Sequence, residues 1–270
     1  MSRESDIFFK AASDEGYVVK KHNETDYDNF RKFQEEIDQR YVVLEKERII
    51  NERKNNLLKW MDKLPERWKD ASLAKIIKDR QDDDRSAEAA TRINEILSSD
   101  GKGSFFLSGQ ASSGKTYLAY AVARKYITKG WTTPSQVKII SEESMLNLAY
   151  SGFIGRDRFE KLLDDQYNMY IFDNVGEKEQ YDPVKEISLW ERMIDHIYNN
   201  SLSAVFTSTF PLENFTDNMS ESIQAKMIHL VDGRMIEVYG SSHNSLKIPV
   251  KTKKDKENNF KDLPLDSFEG

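Results

Sequence analysis

Several kinds of chemistry are excluded by residues that the sequence lacks. It contains no cysteine, which removes disulfides, zinc–thiolate sites and thiol catalysis together. Its histidines are few and scattered, without the spacing of metal ligands; they are His22, His196, His229 and His243. No apolar run approaches the roughly 18 residues of a membrane-spanning helix, and the N-terminus has no signal-peptide pattern. We therefore expect a cytoplasmic protein with no membrane partner.

Neither sign of charge dominates the sequence. Lys and Arg number 40 against 46 Asp and Glu, which gives a formal net charge of −6. This balance predicts no general attraction to nucleic acid, so any DNA contact must come from a local basic patch. The length of 270 residues suits one domain with an appendage.

The N-terminal region, residues 1–64, is predicted to be a helical extension that binds a partner. From Asp28 to Lys63 it contains neither glycine nor proline. Apolar residues recur there at steps of three and four, as on one face of a helix: Phe30, Phe33, Ile37, Tyr41 and Leu44. The pattern indicates one long helix or a helical pair, whose apolar face either packs on its own domain or docks another protein. Pro65 marks its end.

Strands and helices alternate from Gly103 onward. Strand patterns occur at 104–109, 137–141, 168–176, 203–209 and 234–240. This alternation predicts an α/β fold, with a parallel five-stranded sheet between helices in a domain at 65–248. Residues 249–270 are charged and poor in apolar residues, so they are predicted to be a disordered tail.

A phosphate-binding motif lies between the first strand and the next helix. The pattern G-x-x-x-x-G-K-T is the Walker A motif of P-loop proteins, and here it comprises Gly109, Gln110, Ala111, Ser112, Ser113, Gly114, Lys115 and Thr116. Its amides and the helix N-terminus are expected to cradle the phosphates of ATP or ADP. Lys115 is expected to reach the β- and γ-phosphates, and the Thr116 hydroxyl to bind Mg²⁺.

An acidic partner for this loop ends the third strand pattern. Asp173 follows four apolar-rich positions, and we expect it to act through the same Mg²⁺ as Thr116. AAA+ ATPases usually carry a glutamate directly after this aspartate, to activate the attacking water. Asn174 stands there instead, and an amide cannot accept a proton at neutral pH.

These motifs together resemble the helicase-loader family of AAA+ ATPases, the DnaC/DnaI and IstB-like group. The resemblance rests on LPERWKDASL at 64–73, FFLSGQASSGKTYLAYAVARKYITKG at 105–130, YIFDNVG at 170–176 and AVFTST at 204–209. It implies an AAA+ module that assembles side by side. It also implies an N-terminal extension that grips a ring-shaped, DnaB-type replicative helicase hexamer, and contact with single-stranded DNA.

The sequence departs from the family pattern at positions connected with hydrolysis. The resemblance places Asn174 at the catalytic carboxylate, Thr209 at the strand-four sensor and Lys226 at the arginine finger. A later family arginine falls near Asn244. We therefore expect ATP to be bound but hydrolysed slowly, or only with a partner. If hydrolysis is instead fast, Glu177 or Glu179 would have to supply the base.

Three functions share such a module. The chain is interpreted as a loader of the replicative helicase, with a transposition-targeting ATPase of the IstB type as the alternative. The charged helical extension favours the loader. A replication initiator is disfavoured, because only residues 241–270 follow Gly240 and leave no room for a C-terminal lid with a DNA-reading domain.

One segment, YSGFIGRDRFEKL at 150–162, is a candidate for DNA contact. Aromatic rings there are predicted to stack on bases: Tyr150, Phe153 and Phe159. Basic side chains are predicted to follow the phosphates: Arg156, Arg158 and Lys161. The alternative is a packed helix–loop–helix with solvated charges.

Overall fold

The computed structural model of the chain describes residues 24–79, 85–163, 166–176 and 182–238. Several expectations therefore concern positions outside the described residues. These are the tail at 249–270, the absence of a C-terminal lid, Asn244, and the alternative bases Glu177 and Glu179.

The N-terminal extension forms one helix, α1, which runs from Glu24 to Lys63 over 40 residues. The chain divides into two compact units between Asn51 and Glu52, inside this helix. Leu57, Trp60 and Leu64 are at most 6% exposed and belong to the core of the second unit. The second unit therefore includes the end of α1, because these apolar side chains are buried in its core.

The described part of the first unit has a different surface. Every residue from 31 to 48 is exposed. Phe33 is 57% exposed, Tyr41 74% and Leu44 63%. The apolar stripe that the sequence predicts is therefore accessible in this unit.

The second unit continues with a 3₁₀ turn at Glu66–Trp68 and two helices, α2 at Leu73–Asp79 and α3 at Arg85–Ser99. Strands and helices then alternate. They are β1 Phe105–Ser108, α4 Lys115–Thr128, β2 Val137–Ser141, α5 Glu142–Tyr150, α6 Gly152–Leu162, β3 Met169–Asp173, α7 Pro183–Asn199, β4 Ser203–Ser208, α8 Leu212–Thr216, α9 Glu221–Leu230 and β5 Met235–Glu237.

The five strands form one parallel sheet in the order β2-β3-β4-β1-β5. Parallel neighbours need crossover connections, and the helices supply them. The predicted five-stranded parallel α/β architecture is confirmed. Because all strands run the same way, the carboxyl ends of β1, β3 and β4 meet at one edge, where ligands bind in such sheets.

Apolar layers cover both faces of the sheet. On one face α4 packs with Trp60, Leu97 and Leu107, and on the other an aromatic stack runs through Phe172 and Phe206, whose ring centroids are 5.0 Å apart. These layers hold the strand ends in place. No helix in the described ranges combines the length and the apolar composition that a bilayer crossing requires.

Candidate nucleotide-binding site

The Walker A loop joins β1 to α4 in a conformation that depends on its glycines. Gly109 has φ 144° and Gly114 has φ 99°, both in the region that favours glycine. A Cβ atom on Gly109 would lie 2.1 Å from the carbonyl oxygen of Val238, just after β5. Only glycine therefore lets the loop start this close to the neighbouring backbone.

The loop carries donors suited to phosphate. The Lys115 side chain is buried, and its Nζ donates to the carbonyl oxygens of Gly109 and Gln110, at 2.8 Å each. The Ser113 hydroxyl is also buried and has no hydrogen-bond partner among the described residues. The first turn of α4 contains no acidic residue, so its positive helix end is not neutralised there. These features fit a phosphate group.

The predicted magnesium pair is brought together across the sheet edge. The Thr116 hydroxyl donates to Asp173 Oδ1 at 2.8 Å. No cluster of three or more His, Cys, Asp or Glu side chains that could hold a metal occurs in the described ranges. An Mg²⁺ ion at this site would therefore depend on Thr116, Asp173 and the phosphates of a bound nucleotide.

Thr207 is a site residue that the sequence analysis missed. It is fully buried in β4, and its hydroxyl donates to Asp173 Oδ1 at 2.7 Å. The same hydroxyl accepts a hydrogen bond from the backbone N–H of Asn174 at 3.0 Å. The backbone carbonyl of Thr207 accepts one from the backbone N–H of Val175 at 2.8 Å. Thr207 thus positions both the carboxylate and the turn that follows it. The sequence did contain a signal for this role, because the polar residues TST at 207–209 end an otherwise apolar strand.

The backbone conformation of the turn after Asp173 favours asparagine at position 174. Asn174 is exposed with φ 62°, in the left-handed region that asparagine tolerates better than most residues. Gly176, with φ 74°, donates its amide to Glu142 Oε1 at 2.7 Å. A glutamate at 174 would be strained in this conformation. The positioning of water by Asn174 stays a prediction.

The other two hydrolysis candidates lie at separate elements. Thr209 lies just past the end of β4 and is half-buried. Lys226, on α9, forms an ion pair with Asp195 of α7, and its Nζ lies 5.6 Å from the ring centroid of Tyr198. To act in a neighbouring subunit's site, Lys226 would have to leave this pair. The sensor and finger assignments remain predictions.

Aromatic packing supports α4 from the side of the LPERW segment. The rings of Trp68 and Tyr120 stack with centroids 5.5 Å apart, and the Tyr117 hydroxyl donates to the Asp70 carbonyl at 2.8 Å. Burial, followed by the charge of Asp173, raises the pKa of Tyr120. The segment before α2 thereby braces the helix that begins at the phosphate loop.

The aromatic DNA candidates fall into different environments. Phe153 is 84% exposed, whereas Phe159 is 1% exposed beneath the Arg192 guanidinium. The expectation that Phe159 stacks on bases is wrong, because its ring belongs to the core. Tyr150 is accessible, but its hydroxyl donates to Glu186 and accepts from the Asp182 amide.

The basic DNA candidates divide between two sides of α6. Arg156, Arg158 and Lys161 are all exposed. At 3.6 residues per turn, Arg156 lies about 200° around the helix from Arg158, while Arg158 and Lys161 are neighbours. The three side chains therefore do not form one surface.

Comparisons with known proteins agree with this architecture. No protein-family model matches the sequence, and no curated protein matches it either. Among solved structures, DnaI is 16% identical with a TM-score of 0.50 over 67% of this chain and 94% of that one. The DnaC helicase loader is 18% identical with a TM-score of 0.49, over 65% and 100%. Domain III of the Thermotoga maritima replication initiation protein DnaA is 14% identical with a TM-score of 0.46, over 57% and 62%.

At these identities the likeness concerns the fold alone. The likeness to DnaI confirms the predicted fold, a parallel five-stranded sheet between helices. The resemblance is thereby confirmed at the level of the fold, through DnaI.

Proposed function

We propose that the chain is an ATP-binding helicase loader of DNA replication. It docks a hexameric, DnaB-type replicative helicase and helps to place it on single-stranded DNA. The observation that carries the nucleotide part is the bond between Thr116 of the Walker A loop and Asp173 of β3. Proteins of like fold include DnaI and the DnaC helicase loader, which supports the replication context.

In this proposal the chain's own groups hold the phosphates of ATP or ADP. The amides of residues 112–116 and Lys115 bind them, and Lys115 exchanges its two carbonyl partners for phosphate oxygens. Thr116 and Asp173 would hold Mg²⁺, which neutralises phosphate charge when bound. Thr207 keeps Asp173 oriented toward the loop.

Hydrolysis in the isolated chain is proposed to be slow. Asn174 cannot take a proton from water, and Lys226 is paired with Asp195 rather than exposed for a neighbour. A lysine also lacks the planar fork of an arginine finger. ATP then acts mainly as a switch for side-by-side assembly on the helicase.

The exposed stripe of α1 is the proposed helicase contact. Phe33, Ile37, Tyr41 and Leu44 follow one another at steps of three and four, and all are exposed. In this proposal the helix binds by laying the stripe into a groove of the partner. The stripe lies in the first unit, where its side chains are exposed.

Size-exclusion chromatography of the full chain with its cognate hexameric helicase, with and without ATP, tests the proposal. We expect co-elution that ATP strengthens, and its loss in a chain carrying Tyr41→Asp and Leu44→Asp. Gln39→Asp lies on the opposite side of the helix and is the matched control. Failure of the wild-type chain to co-elute in any nucleotide state would refute the loader. ATP-dependent assembly on DNA without a helicase would then favour the transposition-targeting ATPase.

A further inference from the structure

A groove lies along the outer edge of the sheet, away from the Walker A loop. β2 is an edge strand, with β3 as its neighbour on one side only. Between β2, α5, α6 and the segment before β3 is a cavity of about 700 Å³. Its size falls within the roughly 300–1,000 Å³ of ligand sites in proteins. Residues that line it include Lys138, Ile140, Leu148, Arg158, Lys161 and Tyr167.

Among the described residues, the charged side chains that line this groove have one sign. Lys138, Arg158 and Lys161 line it, and no carboxylate does among the described residues. Lys161 pairs with Asp157 at 2.7 Å, but both side chains are more than half exposed, and such pairs contribute little. The described lining therefore carries three cationic side chains, on a chain whose net charge is negative.

An aromatic ring lies among these cations. Tyr167 is half-buried in the segment before β3, and Lys138 Nζ lies 5.4 Å from its ring centroid. Ile140, Leu148 and Leu162 supply an apolar lining beside it. Cations that flank an accessible ring are the combination by which proteins bind single-stranded nucleic acid without reading its sequence.

The groove contains some of the basic residues of α6 and not others. Arg158 and Lys161 line it, whereas Arg156 lies on the other side of the helix. The cations of the groove come from two elements that line it, β2 and α6. A phosphate backbone lying in the groove would meet cations of both.

We propose that this groove is a track for single-stranded nucleic acid. Lys138, Arg158 and Lys161 contact phosphates, and Tyr167 is the platform on which a base or sugar packs. The inference rests on the DNA contact of the proposed function and moves it away from Phe153 and Arg156, to the edge of β2. It depends on neither the helicase contact nor hydrolysis.

Fluorescence anisotropy of a labelled oligothymidylate with the full chain and ATP, over a range of salt concentrations, tests the track. Each phosphate contact contributes about 0.7 to the slope of log K against log salt for a single strand. We expect Lys138→Gln and Arg158→Gln each to lower the slope by about that amount. Tyr167→Leu should weaken binding by about 5- to 150-fold, and Tyr167→Phe should bind like wild type, because the ring makes the contact.

Three further variants make the outcome decisive. Arg92→Gln, an exposed arginine of α3, controls for net charge and should leave the slope unchanged. If Arg156→Gln and Phe153→Ala weaken binding while the groove variants do not, the track is wrong but DNA contact stands. A wild-type chain that binds no oligothymidylate removes the DNA contact altogether, while helicase co-elution tests the loader separately. Binding of a polyglutamate peptide that requires Lys138 and Arg158, with unchanged oligothymidylate binding, would overturn the track in favour of an acidic partner.

Discussion

The exposed part of α1 and the sheet edge at the Walker A loop differ in the surroundings of their side chains. From residue 31 to 48 every side chain is exposed, so the apolar stripe gains nothing from burial within its unit. At the sheet edge, Asp173 Oδ1 accepts hydrogen bonds of 2.7–2.8 Å from the hydroxyls of Thr116 and Thr207. The first surface is suited to a partner, and the second to a ligand that rearranges existing bonds.

The sharpest test of this contrast lies within one helix. Trp60 is 2% exposed and Tyr41 is 74% exposed, although both belong to α1. Trp60→Ala should lower the free energy of unfolding by about 3–5 kcal/mol, because it leaves a cavity in the core. Tyr41→Ala should change it by less than about 0.5 kcal/mol. Chemical denaturation followed by circular dichroism measures both, and equal effects would contradict the division after Asn51.

The next largest effect concerns Lys115. Lys115→Ala should weaken ATP binding at least about tenfold, because a hydrogen bond from a charged group is worth about 1.5–3 kcal/mol. Isothermal titration calorimetry gives the affinity. Lys125→Ala, farther along the same helix, is the control for charge. Unchanged affinity in the Lys115 variant would show that the loop is not the nucleotide site.

Thr207 should give a smaller and more specific effect. Thr207→Val keeps the shape but removes the donor to Asp173 and leaves the Asn174 amide without its acceptor. We expect a loss of about 1–3 kcal/mol in stability, and a higher Mg²⁺ requirement for tight ATP binding. Thr207→Ser should restore both. A normal Mg²⁺ dependence in the valine variant would reduce Thr207 to a packing residue.

The smallest change is expected in turnover. The isolated wild-type chain should hydrolyse ATP slowly, and Lys226→Arg together with Asn174→Glu should raise the rate. The gain is limited because a glutamate at φ 62° is strained by about 1–2 kcal/mol. Phosphate release at several protein concentrations measures it. Brisk hydrolysis by the wild-type chain that does not depend on concentration would mean that Lys226 and Asn174 do not set the rate.

A separate experiment tests whether Lys226 acts in the nucleotide site of a neighbouring subunit. If it serves a neighbouring subunit, Lys226→Ala should lower residual activity, and mixing this variant with Lys115→Ala should restore part of it. Retention of full activity by Lys226→Ala would assign the lysine to its ion pair with Asp195 alone.

Local patterns in the sequence were sufficient to predict the helices and strands of the sheet domain and the phosphate-binding loop. The Walker A motif has fixed spacing between a strand and a helix, and Asp173 follows an apolar strand, so both were identified from short windows. The five strands and their parallel arrangement also followed from alternation. The helical character of α1 followed from the absence of glycine and proline between Asp28 and Lys63, while the choice between one helix and a helical pair stayed open.

The tertiary structure alone decided which residues meet. Thr207 reaches Asp173 only because β3 and β4 pair with Phe172 opposite Phe206, and no short window contains that register. The burial of Trp60 and the exposure of Tyr41 depend on what packs against α1, since both fit the same helical periodicity. The groove at Lys138, Arg158 and Tyr167 likewise joins three elements that are separate in the chain. Helical and strand periods are properties of neighbouring residues, whereas contacts across a sheet follow from strand order and register, which depend on packing over the whole domain.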